Sequence, residues 1–160
     1  MTELVGKEKA DKYIGELNKN IAQYTSSGSK PCKMARTGEY AIGISFAFPA
    51  VQSIQQGFPV KMVIPPKWEG YELEATSILA STKNTKDAKR FVDWTLSPEA
   101  AALYGKYKEI VTIPGVPVAE RMLQAGLPQD VGSVLYPIDF EKSAAERAAI
   151  LKRWQQVTAR

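Results

Sequence analysis

The sequence predicts an α/β fold in which mixed sheets are flanked by helices, and three observations support this prediction. Short apolar segments with the length and composition of β-strands occur at Ile21–Tyr24, Tyr40–Ser45, Val60–Ile64 and Leu73–Ala80. Segments with the apolar spacing of amphipathic helices separate most of these runs. Serine, proline and glycine, which cap or break helices, lie at the boundaries between the two kinds of segment.

Helix boundaries are predicted from apolar spacing and from capping residues. Apolar residues recur at helical spacing in an amphipathic segment that predicts a helix over Lys7–Asn18. Ser29 is a predicted N-cap, and Pro31 is tolerated in the first turn of a helix that ends near Arg36. The same rules predict helices over Pro49–Gln56, after the Asn84 cap, from Ser97-Pro98-Glu99 and over Phe140–Val157, with mostly loop over Glu109–Pro137.

Composition places the chain among ordinary soluble globular proteins. Its 160 residues suit one domain or a piece of a larger protein, with 44% hydrophobic and 24% charged residues. The net charge of +4 comes without a basic run interleaved with aromatic residues, so no nucleic-acid partner is expected. The N-terminal stretch MTELVGKEKADKY has no apolar core that could serve as a secretory signal, and no apolar stretch is long enough to span a bilayer.

The absence of histidine excludes several kinds of catalytic and metal site. Without it, neither a Ser–His–Asp nor a Cys–His mechanism can be built, and the single Cys32 cannot form an internal disulfide or a cysteine metal cluster. Ser45 lies in a GISFA sequence that resembles a hydrolase elbow, but the last glycine of that motif is replaced by alanine. Ser27 and Lys30 have the spacing of serine acyl-enzymes, whose other motifs do not occur here. No enzymatic activity is expected.

A binding site is the stronger interpretation of the hydroxyl-rich turn TSSGS, which covers residues 25–29. Backbone amides in such a turn favour an anion, and the serine and threonine hydroxyls can add hydrogen bonds. The alternative is that these hydroxyls only satisfy the turn and cap the following helix. Thr76 and Ser77 need partners if their segment is buried, and Trp68 could stack on a ligand or cover an edge.

Three stretches resemble the second half of type II periplasmic solute-binding proteins. They are GEYAIGISFAF, GFPVKMVIPPKWEGYELEATSILASTKN and DAKRFVDWTLSPEAAALYGKY. The resemblance runs from about Lys7 to the C-terminal helix and is most specific in the LSPEAA segment and at the STKN junction. The branch that the chain resembles is the ferric-iron (AfuA-like) group, which includes binders of 2-aminoethylphosphonate.

This resemblance implies a two-lobed protein that closes around its ligand at a hinge and delivers it to the permease subunits of an ABC importer. Residues 1–71 would form part of the second lobe, and residues 72–160 would supply the hinge strand and the C-terminal contribution to the first lobe. Members run to roughly twice this length, the size of two ordinary domains. The chain is therefore expected to be a C-terminal fragment of a periplasmic protein.

The resemblance also implies where a small anionic ligand would bind. It points to the TSSGS turn, to the loop that begins at Ser45 and to the predicted hinge strand. The expected ligand-binding residues are Thr25, Ser26, Ser27, Ser29, Ser45, Phe46, Phe48, Tyr71, Thr76 and Ser77. The hydroxyls would donate hydrogen bonds, and the aromatic side chains would form the walls.

The chain departs from the ferric branch at the loop after Ser45. Where ferric binders have adjacent tyrosines, this chain has Phe46, Ala47 and Phe48. A phenyl ring offers no oxygen to Fe(III), so tyrosine ligation at this loop is excluded, and no metal ligand or cofactor is expected. An organic anion such as a phosphonate suits hydroxyls and aromatic walls better, with an iron-related solute as the other possibility. The competing hypothesis is a non-binding structural remnant that self-associates through exposed edges.

Overall fold

The computed structural model describes residues 2–107, 110 and 115–159. In these ranges, the chain forms eight α-helices and one 3₁₀-helix. The α-helices are α1 (Thr2–Val5), α2 (Lys7–Lys19), α3 (Lys30–Arg36), α4 (Ala47–Gln55), α5 (Thr85–Thr95), α6 (Pro98–Tyr107), α7 (Glu120–Gln124) and α8 (Phe140–Thr158), and the 3₁₀-helix covers Val131–Val134. None of the helices in this part of the chain is long and apolar enough to cross a membrane.

The chain divides into two units by its internal contacts. The first unit combines the N-terminal residues up to Ser26 with the C-terminal residues from Pro137 onward. The second unit is continuous and covers Ser27–Tyr136. The sequence predicted a different division, with residues 1–71 and 72–160 in two lobes of a larger solute-binding protein. The two units described here do not test that assignment, which stays a prediction.

The first unit is held together by the packing of α2 against α8. Gly15 lies where an added Cβ would be 3.9 Å from Val157 Cγ1, so the two helices approach closely at this point. The Arg153 guanidinium binds the Asp11 carboxylate, with Nε 2.6 Å from Oδ1, and donates a further hydrogen bond to the Lys7 carbonyl at 2.9 Å. Lys142 and Glu3 form a second ion pair between the C-terminal and N-terminal segments.

The second unit has a small apolar core built around α4 and α7. Val51 and Met122 are fully buried, and Ala125 and Leu127 complete the buried cluster. Partly buried side chains pack against this cluster from the neighbouring segments, namely Ala47, Ile54, Met62, Ile64, Val118, Ala119 and Val131. The guanidinium of Arg121 also donates hydrogen bonds to the carbonyls of Gly105 and Lys106, where α6 ends.

The helix predictions are confirmed where apolar spacing and local capping signals coincide. The structure has α2, α3, α4, α5, α6 and α8 within a few residues of the predicted bounds. Ser97 caps α6 as predicted, since its Oγ accepts a hydrogen bond from Ala100 N at 3.2 Å. Ser29 and Asn84 occupy N-cap positions, but neither side chain makes a capping hydrogen bond. The stretch predicted as mostly loop contains α7 and the 3₁₀-helix, and its residues 109 and 111–114 lie outside the described ranges.

Glu99 in the first turn of α6 has a shifted pKa with a structural cause. Its own backbone N–H and the Ser97 hydroxyl donate hydrogen bonds to the carboxylate, and these bonds lower the pKa of Glu99 below its usual value. The side chain is otherwise exposed to solvent. The shift therefore reflects a well-formed helix start at Ser97-Pro98-Glu99.

The predicted α/β fold is wrong for this chain. None of the four predicted strands, Ile21–Tyr24, Tyr40–Ser45, Val60–Ile64 and Leu73–Ala80, is a strand in the structure. The β-pairing among the described residues is one isolated parallel bridge between Glu69 and Leu135. In the ranges that the structure describes, the architecture is helical, without mixed sheets and without a hinge strand.

The physical reason is that a strand is defined by the partner it pairs with, whereas the sequence signal for a strand is local. Residues 41–45 and 61–64 run as irregular chain, and the backbone hydrogen bonds between described residues include none from either segment. The apolar composition of these segments is not accompanied by burial, because Ile42, Ile44 and Val63 are largely exposed. Leu79 in the predicted hinge strand is exposed as well.

Candidate functional site

Residues 27–29 of the hydroxyl-rich turn and the loop before α4 meet in the second unit. We call this region the serine–phenylalanine corner and define it as residues 27–29 and 45–48. Ser45 Oγ donates a hydrogen bond to the Gly28 carbonyl at 2.6 Å, and the hydroxyls of Ser27 and Ser29 lie 3.2 Å apart and share a hydrogen bond. Two stretches separated by 17 residues are thereby joined into one surface feature.

Close contacts at two glycines, one with a side chain and one with the backbone, hold the corner together. A Cβ at Gly28 would lie 2.2 Å from Phe46 Cε2, so the ring of Phe46 packs directly on the turn. A Cβ at Gly43 would lie 2.4 Å from the Pro31 carbonyl oxygen, so the segment before Ser45 runs against the first turn of α3. Gly43 requires the absence of a side chain because the atoms that a Cβ would meet belong to the backbone, whereas a Cβ at Gly28 would displace the ring of Phe46.

The aromatic part of the corner consists of Phe46 and Phe48. Their rings are stacked, with centroids 5.9 Å apart and planes inclined by 15°. Each residue is 43% exposed, so the pair presents apolar surface to solvent beside the serine hydroxyls. Apolar walls next to a few polar groups are the usual composition of a small-molecule contact surface.

The hydroxyls of the corner already have protein partners, which limits the hydrogen bonds that they can donate to a ligand. The Ser45 proton is directed at Gly28, so Ser45 must reorient to donate to a ligand. Ser27 and Ser29 share one hydrogen bond, in which either oxygen can be the donor. This arrangement also leaves Ser45 bound to a backbone carbonyl, which is not the general base that a nucleophilic serine needs.

Thr76 and Ser77 belong to a different surface feature of the second unit. They line an open groove of about 280 Å³ together with Ile78, Leu79, Thr82, Ala88, Phe91 and Val92. α5 contributes Ala88, Phe91 and Val92 to this groove. Both hydroxyl residues are exposed, so the expected need for buried partners does not arise.

Three further predicted site residues lie outside the corner. Thr25 and Ser26 belong to the first unit, with Thr25 half-buried and Ser26 exposed. Tyr71 is half-buried in the second unit and follows the Glu69 bridge by two residues. The ligand roles predicted for all ten residues stay predictions.

Sequence reasoning missed the two glycines that shape the corner. Gly28 and Gly43 were visible as parts of the TSSGS and GISFA motifs, but their importance depends on contacts with Phe46 and Pro31 that are distant in sequence. Sequence reasoning also missed the contact between Arg36 and Phe58, in which the guanidinium carbon lies 4.6 Å from the centroid of the ring. No spacing rule connects the members of any of these three contacts, so only the structure could identify them.

The described residues contain no group of three or more histidine, cysteine, aspartate or glutamate side chains that could hold a metal ion. The two phenyl rings of the corner offer no oxygen either. The donor set at this corner consists of serine hydroxyls and backbone groups, and this set suits an organic solute better than a hard metal ion.

Comparisons with known proteins define the class to which this chain belongs. A family model described as bacterial extracellular solute-binding protein matches residues 3–132, which is most of the chain. The chain therefore belongs to the bacterial extracellular solute-binding protein family. This finding agrees with the resemblance to solute-binding proteins at the level of the family and does not distinguish its branches.

A curated relative adds information about length. An uncharacterized protein of Haemophilus influenzae is 35% identical over 156 residues, which cover 96% of this chain. The same match covers 44% of the relative, so the chain spans less than half of that protein's length. No solved structure matches the chain.

Proposed function

We propose that this chain is part of the solute-binding component of a bacterial ABC importer. Its ligand is a small organic anion. A phosphonate is the leading candidate, and an iron-related solute is the second. The family match over residues 3–132 supports solute binding. The observation that supports a specific site is the serine–phenylalanine corner, where Ser45 is joined to Gly28 and two exposed phenyl rings lie beside the serines. The periplasm would be the location of such a component, and the permease subunits would be its partners.

The chemistry of the corner favours an anion with an apolar part. Lys30 follows Ser29 directly and brings a positive charge to the start of α3, and the chain as a whole carries a net charge of +4. Hydroxyl donors bind phosphonate or carboxylate oxygens, and Phe46 and Phe48 cover the apolar part of the solute. A ligand of this kind must compete with Gly28 for the Ser45 proton, which favours strong acceptors.

The experiment is isothermal titration calorimetry of the chain with 2-aminoethylphosphonate, phosphate, a short carboxylate and ferric citrate. We expect binding of at least one organic anion and a loss of about tenfold in affinity in Phe46→Ala. Phe140→Ala is the matched control, because that phenyl side chain is 44% exposed and lies in the first unit. A loss in Phe91→Ala instead of Phe46→Ala would assign the ligand to the groove beside Thr76, and no heat with any of the four solutes would contradict the proposal.

A second candidate function is self-association without ligand binding. The observation that favours it is the exposure of large apolar side chains, with Ile42 at 84% and Leu79 at 75%. A molar mass that rises with protein concentration in light scattering, together with no response to any solute, would support this candidate. A constant monomeric mass would reject it.

A further inference from the structure

The two ends of the chain meet in the first unit around a small buried core. Helix α8 packs against α2, which belongs to the opposite end of the chain. Among the residues described in this unit, the buried side chains are those of Ala10 and Thr158, and both are small. The rings of Tyr24 and Trp154 also meet edge to face, but both rings are partly exposed. Since residues 140–152 of α8 are all exposed, burial of apolar surface contributes little to the attachment of that part of the helix.

Two ion pairs and a hydrogen bond join the two ends of the chain, and we call these three contacts the terminal latch. They are the ion pairs Arg153–Asp11 and Lys142–Glu3 and the hydrogen bond from Asn18 Nδ2 to the Thr158 carbonyl. The side chains of the first pair are 22% and 29% exposed, and those of the second pair are 49% and 48% exposed. Solvent therefore reaches both ion pairs, and dissolved salt screens their attraction.

Helix α8 carries its own helix-forming signals and does not need α2 to become helical. The Asp139 side chain caps its first turn, since Oδ1 accepts a hydrogen bond from Lys142 N at 2.9 Å. Residues 144–149 contain four alanines, the strongest helix formers. The helix has 19 residues, which is longer than the roughly 12–15 residues below which isolated helices are marginal. It can therefore leave α2 as one unit rather than by unravelling residue by residue.

We propose that the terminal latch is a salt-sensitive conformational device, which releases α8 from α2 reversibly while the second unit stays folded. The two units differ in the kind of contact that holds them. The second unit has the fully buried Val51 and Met122 in its core, and salt does not screen the burial of apolar side chains. The ends that form the first unit are joined by exposed ion pairs. A rise in ionic strength therefore weakens the first unit selectively, and this inference does not depend on which solute is bound.

The test is hydrogen exchange of the full 160-residue chain, followed by mass spectrometry, at low and at high concentrations of sodium chloride. Between about 0.01 M and about 1 M salt, the distance over which charges interact falls from about 30 Å to about 3 Å. We expect the amides of α8 to exchange about five- to tenfold faster at high salt, since two exposed ion pairs together change an opening equilibrium by about that factor. The amides around Val51 in α4 and Met122 in α7 should exchange at the same rate in both solutions.

Variants of the two kinds of ion pair separate the latch from a general effect of charge. Arg153→Met removes the charge and keeps an unbranched side chain. At low salt its α8 amides should already exchange about fivefold faster than those of the wild type, and salt should accelerate them less. Lys19→Met is the matched control, because Lys19 Nζ pairs with Glu16 Oε1 at 2.8 Å within α2 and this exposed pair does not join the two ends. It should leave the exchange of α8 and its salt dependence as in the wild type.

Lys142→Met tests the second ion pair independently, so the proposal stays testable if Arg153→Met loses its helical circular dichroism. Equal exchange of α8 at both salt concentrations would overturn the proposal. Equal acceleration of α8 and α4 would also overturn it, because salt would then destabilise the whole chain. The same would follow if Lys142→Met and Arg153→Met both behaved as the wild type, or if Lys19→Met accelerated the exchange of α8 as much as they do.

Discussion

Gly43→Ala tests whether the close approach of residues 41–45 to α3 holds the corner in place. The new methyl group would be 2.4 Å from the Pro31 carbonyl oxygen and 2.7 Å from the carbonyl carbon. These are backbone atoms of a helix and cannot rotate away as a flexible side chain can. Relief therefore requires residues 41–45 to move away from α3, which also pulls Ser45 away from Gly28.

The size of the effect follows from three contributions. Overpacking of this kind costs about 1–3 kcal/mol, and loss of the hydrogen bond from Ser45 to Gly28 costs about 0.5–1.5 kcal/mol. The lower conformational entropy of alanine in the unfolded chain offsets about 0.4–1 kcal/mol of this. The free energy of unfolding should therefore fall by about 2 kcal/mol, or roughly 4–8 °C in Tm for a chain of this size.

The assay is urea denaturation followed by far-UV circular dichroism, with Gly70→Ala as the matched control. A Cβ at Gly70 meets no atom within 4 Å, and its φ is not in the left-handed region, so that variant should be neutral or slightly stabilised. If the free energies of unfolding of Gly43→Ala and Gly70→Ala differ by less than about 0.5 kcal/mol, the close approach to Pro31 does not hold residues 41–45 in place.

Three further predictions concern other parts of the molecule. Met122→Ala should lower the free energy of unfolding by about 2–5 kcal/mol in the same denaturation assay, because Met122 is fully buried in the core of the second unit; a loss below about 1 kcal/mol would contradict that burial. Arg153→Ala should lower the free energy of unfolding by about 1–2 kcal/mol. A double-mutant cycle with Asp11→Ala should give a coupling energy between the two side chains of about 1 kcal/mol, so the losses of the single variants should not add. Glu99 has a lowered pKa, so the stability that it contributes is present above its ordinary value of 4.5 and is lost as pH falls through its folded-state pKa. Thermal unfolding of wild type and Glu99→Gln should therefore differ near neutral pH and converge in acid, and a constant difference across pH would rule out this contribution.

Helices were predictable here because their signals are local. The apolar spacing of Lys7–Asn18 and the Ser97-Pro98-Glu99 start lie within one or two turns of chain, and the structure has α2 and α6 at these places. Capping was less predictable, because Ser29 has helical backbone angles, with φ −93° and ψ −16°, and its side chain does not bond the helix amides. A residue type that is suited to a cap makes the capping bond only when its own backbone leaves the helical conformation.

Strands were not predictable from the same kind of evidence. The segment Tyr40–Ser45 has strand composition, but whether it becomes a strand depends on a neighbouring chain to pair with. The described residues provide no such pairing for it, so Ile42 and Ile44 point into solvent. Apolar composition is therefore not evidence of burial by itself, because burial depends on what lies opposite.

The candidate site also combines features that the local sequence predicts with features that depend on the packing of distant segments. The sequence singled out Ser27, Ser29, Ser45, Phe46 and Phe48 as residues of interest, and the structure brings these five into one corner. It places Thr76 in a separate groove, although the sequence had grouped it with the same crevice. Spacing along the chain identifies which residues have suitable chemistry, whereas their proximity depends on how distant segments pack.

By itself, the amino-acid sequence determined the longer helices, the lack of histidine chemistry and the membership of a solute-binding class, since each depends on residue identity or on spacing within a few turns. Only the tertiary structure decided that Gly43 lies against Pro31, that Phe46 covers Gly28, and that Ile42 and Ile44 are left exposed. These contacts join residues from different segments, and their geometry follows from close packing of the whole unit rather than from any local preference.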